Sequence, residues 1–90
     1  MVDPNSAVAF NNLGNIYLQK KNFDRAIKYY NRALNIDPEY VSPLYHIGLI
    51  YYELGNRVRA ESLWLRVLRI DPQHRDTQRA IKYLLRKKNL

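Results

Sequence analysis

Residues 7–40 read AVAFNNLGNIYLQKKNFDRAIKYYNRALNIDPEY, and the chain then repeats the pattern. Leu13-Gly14-Asn15-Ile16-Tyr17 returns as Ile47-Gly48-Leu49-Ile50-Tyr51, and Ile36-Asp37-Pro38 returns as Ile70-Asp71-Pro72. In each case the second copy lies 34 residues after the first. A fixed period of this length is typical of stacked two-helix units. The sequence therefore predicts an all-α protein made of repeated helix pairs.

Apolar residues at helical spacing and the breaks between them predict five helices. Asn5 or Ser6 is expected to cap the first helix. The residue before a proline is disfavoured in helical conformation, so Asp37-Pro38 and Asp71-Pro72 should each end a helix. Gly55-Asn56 stands where a helix C-cap is expected. The predicted helices cover residues 7–20, 23–36, 41–54, 57–70 and 75–87.

The repeated pattern resembles the tetratricopeptide repeat (TPR). That 34-residue motif places a large residue, Leu-Gly, Tyr, Ala, an aromatic residue, Ala and Pro at set positions. In the first copy these positions hold Phe10, Leu13-Gly14, Tyr17, Ala26, Tyr30, Ala33 and Pro38. In the second copy they hold Leu44, Ile47-Gly48, Tyr51, Ala60, Trp64, Val67 and Pro72. The resemblance implies a right-handed α-solenoid of five helices in antiparallel pairs, acting as a protein-interaction scaffold.

The resemblance also implies how the repeats pack. Glycine in mid-helix costs about 1 kcal/mol relative to alanine, so it is expected where another helix comes close. In TPR proteins this glycine faces a small alanine of the partner helix, and large aromatic residues fill the space between successive repeats. The structural residues expected here are Gly14, Gly48, Ala26, Ala60, Tyr30 and Trp64.

We expect a single domain over residues 1–90, with repeat 1 over 7–40, repeat 2 over 41–74 and a capping helix over 75–90. Residues 1–6 contain Asp3-Pro4, which matches the end of a repeat. They are expected to be the end of a preceding repeat in a longer array, or a vestigial lead-in. Lys82 replaces the motif glycine in the last helix, which predicts a terminal cap ending near Leu90.

Composition excludes several classes of function. The chain has no cysteine, and therefore no disulfide, thiolate nucleophile or Cys-based zinc site. No apolar run approaches the ~18 residues of a membrane span. Neither His46 nor His74 lies in a carboxylate-rich cluster, and no glycine-rich phosphate loop occurs. We expect a cytoplasmic (intracellular), non-enzymatic protein without a cofactor or metal.

The net charge of +7 is concentrated at the C-terminal end, where residues 75–90 carry six Lys/Arg against Asp76 alone. An alternative function is therefore binding of nucleic acid or another polyanion through this helix. The interpretation as a solvated capping face is favoured, because most charge runs are solvated. A further alternative is self-association as a homodimer through Val8, Phe10 and Phe23 of the uncapped first repeat.

The third helix is apolar on nearly every side, which is typical of a buried helix. A stack of helices accounts for most of these residues but not for Tyr45, Leu49 and Tyr52. These three residues are either further core or part of a binding surface.

The family resemblance implies a concave groove lined by the first helix of each repeat. Amides can bond an extended peptide backbone, tyrosines offer large rigid contact area, and arginines can hold a carboxylate. We therefore expect a protein or peptide partner, with an acidic or C-terminal segment in the groove. Of the two-Asn, three-cation carboxylate clamp known in chaperone-binding TPR domains, only Asn15 is present, so that activity is not inferred. The predicted groove residues are Asn11, Asn15, Tyr45, Leu49, Tyr52, Arg79 and Tyr83.

Overall fold

The computed structural model describes residues 5–88, so the expectations for Asp3-Pro4 and for an end near Leu90 lie outside the described residues. The helices pack as antiparallel pairs. The prediction of an all-α, TPR-like fold with five helices is confirmed, and every described helix boundary lies within one residue of its predicted place. The helices are α1 (Ala7–Gln19), α2 (Phe23–Ile36), α3 (Val41–Glu53), α4 (Arg57–Ile70) and α5 (Arg75–Lys88).

The chain divides into two compact units, which we call unit 1 (Met1–Pro43) and unit 2 (Leu44–Leu90). In unit 1, α1 packs against α2, whose inner face buries Ala26, Tyr30 and Ala33. In unit 2, α4 packs against α5. The core cluster of unit 2 consists of Ala60, Trp64 and Leu84.

The glycines of α1 and α3 lie against aromatic rings. A Cβ atom on Gly14 would stand 2.9 Å from Cζ of Tyr30, and one on Gly48 would stand 2.7 Å from Cδ1 of Trp64. The nearest atoms to each glycine therefore belong to an aromatic ring of the same repeat. The aromatic residue of each pair fills the space that the missing side chain leaves open within its own repeat.

The turn inside each pair uses one recurring hydrogen-bond pattern. The Asn22 N–H donates to the Tyr17 carbonyl (2.9 Å), and the Asn56 N–H donates to the Tyr51 carbonyl (2.8 Å). Each bond belongs to the Schellman motif that closes a helix C-terminus. This confirms the C-cap expected at Gly55-Asn56.

Both asparagines also begin the following helix. The side-chain oxygen of Asn22 accepts from the Arg25 N–H (3.3 Å), and that of Asn56 accepts from the Arg59 N–H (3.1 Å). One asparagine therefore ends a helix through its backbone and caps the next through its side chain. At the start of α1 the capping residue is Ser6, whose hydroxyl accepts from the Ala9 N–H (3.2 Å).

A histidine begins α5. Nδ1 of His74 accepts from the Thr77 N–H (3.3 Å) and lies 2.8 Å from the Thr77 hydroxyl oxygen. The Thr77 side chain is fully buried. His74 thus acts as an N-cap and also supplies the hydrogen-bond partner that a buried hydroxyl requires.

The Arg-Ala dipeptide recurs because its arginine packs on the tyrosine of the preceding helix. The Arg25 guanidinium lies 5.6 Å from the ring centre of Tyr17, and that of Arg59 lies 4.8 Å from the ring centre of Tyr51. A cation–π contact of this kind contributes about 0.5–1 kcal/mol at an exposed site. Both repeats therefore join their two helices at the same point.

We expect Trp64→Ala to lower the free energy of unfolding by about 3–5 kcal/mol, because it empties the centre of the unit 2 core. The side chain is only 2% exposed. Thermal denaturation followed by circular dichroism would measure the loss. Val58→Ala in the same helix is the control, since an exposed side chain should change stability by less than about 0.5 kcal/mol. Equal melting temperatures for the two variants would contradict this packing.

Gly55→Ala should lower the free energy of unfolding by about 1 kcal/mol, although no atom lies near the added methyl group. The cause is the backbone, which has φ +89° at Gly55. Lys21 occupies the equivalent place with φ +57°. Lys21→Gly should therefore have the opposite effect and gain up to about 1 kcal/mol. Urea denaturation of both variants would show whether the two changes have opposite signs.

Candidate functional site

A cleft of about 300 Å³ opens in unit 2 between α3 and α5. α3 contributes three side chains, Tyr45, Leu49 and Tyr52, which are half-buried and also pack against the core cluster. They therefore belong both to the packing of unit 2 and to its surface. The complete lining is Tyr45, Leu49, Tyr52, Trp64, Asp76, Arg79, Ala80 and Tyr83.

The cleft walls are held together by aromatic contacts. The ring centre of Tyr52 lies 6.1 Å from that of Tyr83 in an edge-to-face arrangement and 6.0 Å from that of Trp64. The Trp64 indole N–H donates to the Tyr45 carbonyl (3.2 Å). These contacts join one ring from each of α3, α4 and α5, so the packing of unit 2 itself forms the apolar surface of the cleft.

Charges line one side of the cleft. Asp76 and Arg79 lie three residues apart on α5, and within the described residues neither side chain has an ion-pair partner. Burial raises the pKa of the Tyr45 hydroxyl above its ordinary value, and the negative charge of Asp76 raises it further. The cleft therefore offers a protonated phenol, a carboxylate and a guanidinium beside an apolar surface.

Five of the seven predicted groove residues meet in this cleft, namely Tyr45, Leu49, Tyr52, Arg79 and Tyr83. The selected groove residues do not include Trp64, Asp76 or Ala80, although the family resemblance places Asp76 at a groove-lining position. Positions 76, 79, 80 and 83 have the spacing of one helical face, so the pattern of α5 also indicates Ala80. Trp64 was assigned to the core alone.

The two predicted asparagines lie on α1 of unit 1. The Asn15 side-chain oxygen accepts a 2.6 Å hydrogen bond from the Tyr30 hydroxyl. Asn11 is 5% exposed, and its side-chain oxygen has no hydrogen-bond partner within the described residues. Asn15 therefore forms a structural hydrogen bond in unit 1. The buried side-chain oxygen of Asn11, by contrast, accepts no hydrogen bond from the described residues.

The residues expected to mediate self-association differ in exposure. Val8 is exposed, but Phe10 is half-buried and stacks on Tyr29 with a ring-centre distance of 6.3 Å. Tyr29 stacks in turn on Tyr17 at 5.5 Å. The ring of Phe10 is thus part of the packing of unit 1.

The basic helix behaves as a mixed surface. Lys82 and Lys87 are exposed, and the Lys87 ammonium lies 5.5 Å from the ring centre of Tyr83. Leu84 is buried in the core cluster of unit 2, whereas Leu85 is exposed.

Within residues 5–88, no helix is both long enough and apolar enough to cross a membrane. The same part of the chain brings together no group of three or more His, Asp or Glu side chains that could hold a metal ion.

Family models identify the repeats. A model described as a TPR repeat matches residues 14–55, and a second, described as a tetratricopeptide repeat, matches residues 44–74. With the paired helices described above, they show that the chain belongs to the tetratricopeptide-repeat family. Members of this family are generally protein–protein interaction modules and are typically non-enzymatic.

The fold is also similar to that of a solved protein, MamA. The crystal structure of MamA superposes with a TM-score of 0.88 at 25% sequence identity, covering 98% of this chain and 52% of the MamA chain. The chain thus spans about half the length of the MamA structure. No curated protein sequence matches the chain significantly.

Tyr30→Phe should make stability less sensitive to alkaline pH. Burial raises the pKa of the Tyr30 hydroxyl far above its ordinary value of about 10. As pH rises above about 10, the unfolded chain therefore ionises this group first, and folding stability falls by up to about 1.4 kcal/mol per pH unit. Below that pH the contribution is fully present.

Urea denaturation at about pH 8 and about pH 11 would test this linkage. At the lower pH the variant should be less stable by about 1 kcal/mol, since it lacks the bond to Asn15. The difference between wild type and variant should shrink at the higher pH. A stability difference between wild type and variant that is the same at both pH values would contradict the linkage to the Tyr30 hydroxyl.

Proposed function

We propose that this protein is a non-enzymatic scaffold that binds a peptide segment of another protein in the cleft of unit 2. The observation that supports the proposal most directly is the convergence of Tyr45, Tyr52 and Tyr83 with Arg79 around one apolar cleft. Rigid aromatic residues and arginine are the residue types that carry most binding energy in protein interfaces. Membership of the TPR family supports the same class of function.

The lining suggests how a peptide would be held. Leu49, Ala80 and the aromatic rings offer an apolar surface for one or two side chains of the ligand. The Arg79 guanidinium would hold a carboxylate, from either an acidic side chain or a peptide C-terminus. The Asp76 carboxylate and the Tyr45 hydroxyl lie on the same side and could bond peptide N–H and C=O groups.

The fluorescence of Trp64 can report peptide binding directly, because it is the only tryptophan and lines the cleft. Synthetic decapeptides with apolar and acidic residues near their C-terminus, each made as the free acid and as the amide, would be titrated while tryptophan emission is recorded. We expect acidic or free-acid peptides to change the emission. Arg79→Gln should weaken their binding about tenfold or more, the usual effect of losing a charge-assisted bond.

Arg75→Gln is the matched control, since Arg75 is an exposed arginine of α5 outside the cleft. This variant should bind the peptides as the wild type does. Equal affinities for both arginine variants would contradict the proposal. Loss of binding only when Lys82 and Lys87 are replaced by glutamine, or displacement of the peptides by an oligonucleotide, would instead assign binding to the basic face of α5.

A further inference from the structure

α4 carries apolar residues on two opposite faces. Its inner face holds Ala60, Trp64 and Val67, which are buried. At 100° per residue, Val58 and Leu65 lie on the other side of the helix. Val58 is 82% exposed and Leu65 is 47% exposed. A surface helix normally keeps its outer face polar, so these two exposed side chains need a separate explanation.

The first repeat shows that the fold does not require apolar residues there. The equivalent positions in α2, 34 residues earlier, hold Asp24 in place of Val58 and Asn31 in place of Leu65. Both are exposed. The apolar outer stripe is therefore a property of the second repeat alone, and packing within a repeat does not account for it.

The same face has an open depression and an arginine side chain, Arg69, without an ion-pair partner among residues 5–88. The depression measures about 510 Å³ and is lined by Ser62, Leu65, Leu68 and Arg69. Within residues 5–88, the Arg69 side chain takes part in no ion pair and no ring contact. An exposed apolar strip that ends at an unpaired guanidinium is suited to a ligand with both apolar and acidic groups.

We propose that this outer face of α4, formed by Val58, Ser62, Leu65, Leu68 and Arg69, docks an acidic amphipathic helix of another protein. Val58 and Leu65 are two turns apart, about 10 Å along the helix, which matches apolar anchors at i, i+4 and i+7 of a helix lying alongside. A carboxylate of that helix pairs with Arg69.

Charge decides between this partner and a second copy of the chain. α4 contains four arginines and a single glutamate. Two copies meeting through this face would bring together two chains of net charge +7, each presenting Arg69, which is unfavourable, whereas an acidic helix is complementary. The site lies on the far side of α4 from Trp64, so it is separate from the proposed peptide cleft.

Display selection is the test. Random peptides of roughly 20 residues, about 30 Å as a helix, would be selected on the Arg79→Gln variant, which weakens the cleft, and their affinities measured by fluorescence anisotropy. We expect enrichment of sequences with an apolar i, i+4, i+7 stripe flanked by Asp or Glu. The double variant Val58→Asp, Leu65→Asn takes its residues from repeat 1 and should remain folded. It should bind these peptides at least about tenfold more weakly.

Leu85→Asn is the matched control, because Leu85 is also 47% exposed but lies on α5. It should leave the affinities unchanged, and circular dichroism would confirm that all variants are folded. Arg69→Gln should reduce the salt dependence of binding. Enriched peptides without an acidic bias, or peptides that bind the double variant as well as the wild type, would overturn the proposal. So would a wild-type dimer in sedimentation analysis that the double variant dissociates, since that result assigns the face to a second copy.

Discussion

Each helix pair depends on a glycine of its first helix meeting an aromatic ring of its second helix. Tyr30 occupies the space above Gly14, and Trp64 occupies the space above Gly48. A glycine in mid-helix costs about 1 kcal/mol relative to alanine. Burying a ring of this size contributes roughly 4–6 kcal/mol from the apolar area removed from water. The burial of the ring therefore outweighs the cost of the glycine. It also places a large side chain at the same point of both repeats.

In unit 2 the aromatic residue, Trp64, belongs both to the core and to the lining of the cleft. Trp64 fills the space at Gly48 and joins the core cluster with Ala60 and Leu84. It also lines the cleft between α3 and α5 and fixes α3 through a bond to the Tyr45 carbonyl. The proposed binding surface therefore shares Trp64 with the core, so a change at Trp64 would alter both the packing of unit 2 and the cleft. Selective variants of the cleft must accordingly be made at its exposed members, such as Arg79, and not at Trp64.

The two repeats share their internal contacts and differ on their surfaces. The asparagine turns and the Arg–Tyr contacts occur at equivalent positions in both. The outer face of the second helix, by contrast, is polar at Asp24 and Asn31 and apolar at Val58 and Leu65. Internal positions are constrained by close packing, where a change of one methylene is felt. Outer positions are free of that constraint, so packing within the chain does not dictate which residues stand there.

The sequence by itself determined the fold class and the helix boundaries, because period, proline positions and helical spacing are local properties of the chain. The five members of the cleft were implied by the family resemblance that the same repeats carry. Only the tertiary structure decided which atoms meet. It placed the rings of Tyr30 and Trp64 against Gly14 and Gly48. It gave the Asn15 side chain a bond to Tyr30, and it added Trp64 to the lining of the cleft. These outcomes depend on how far a side chain reaches and which way it points from its helix, and residue spacing does not specify either quantity.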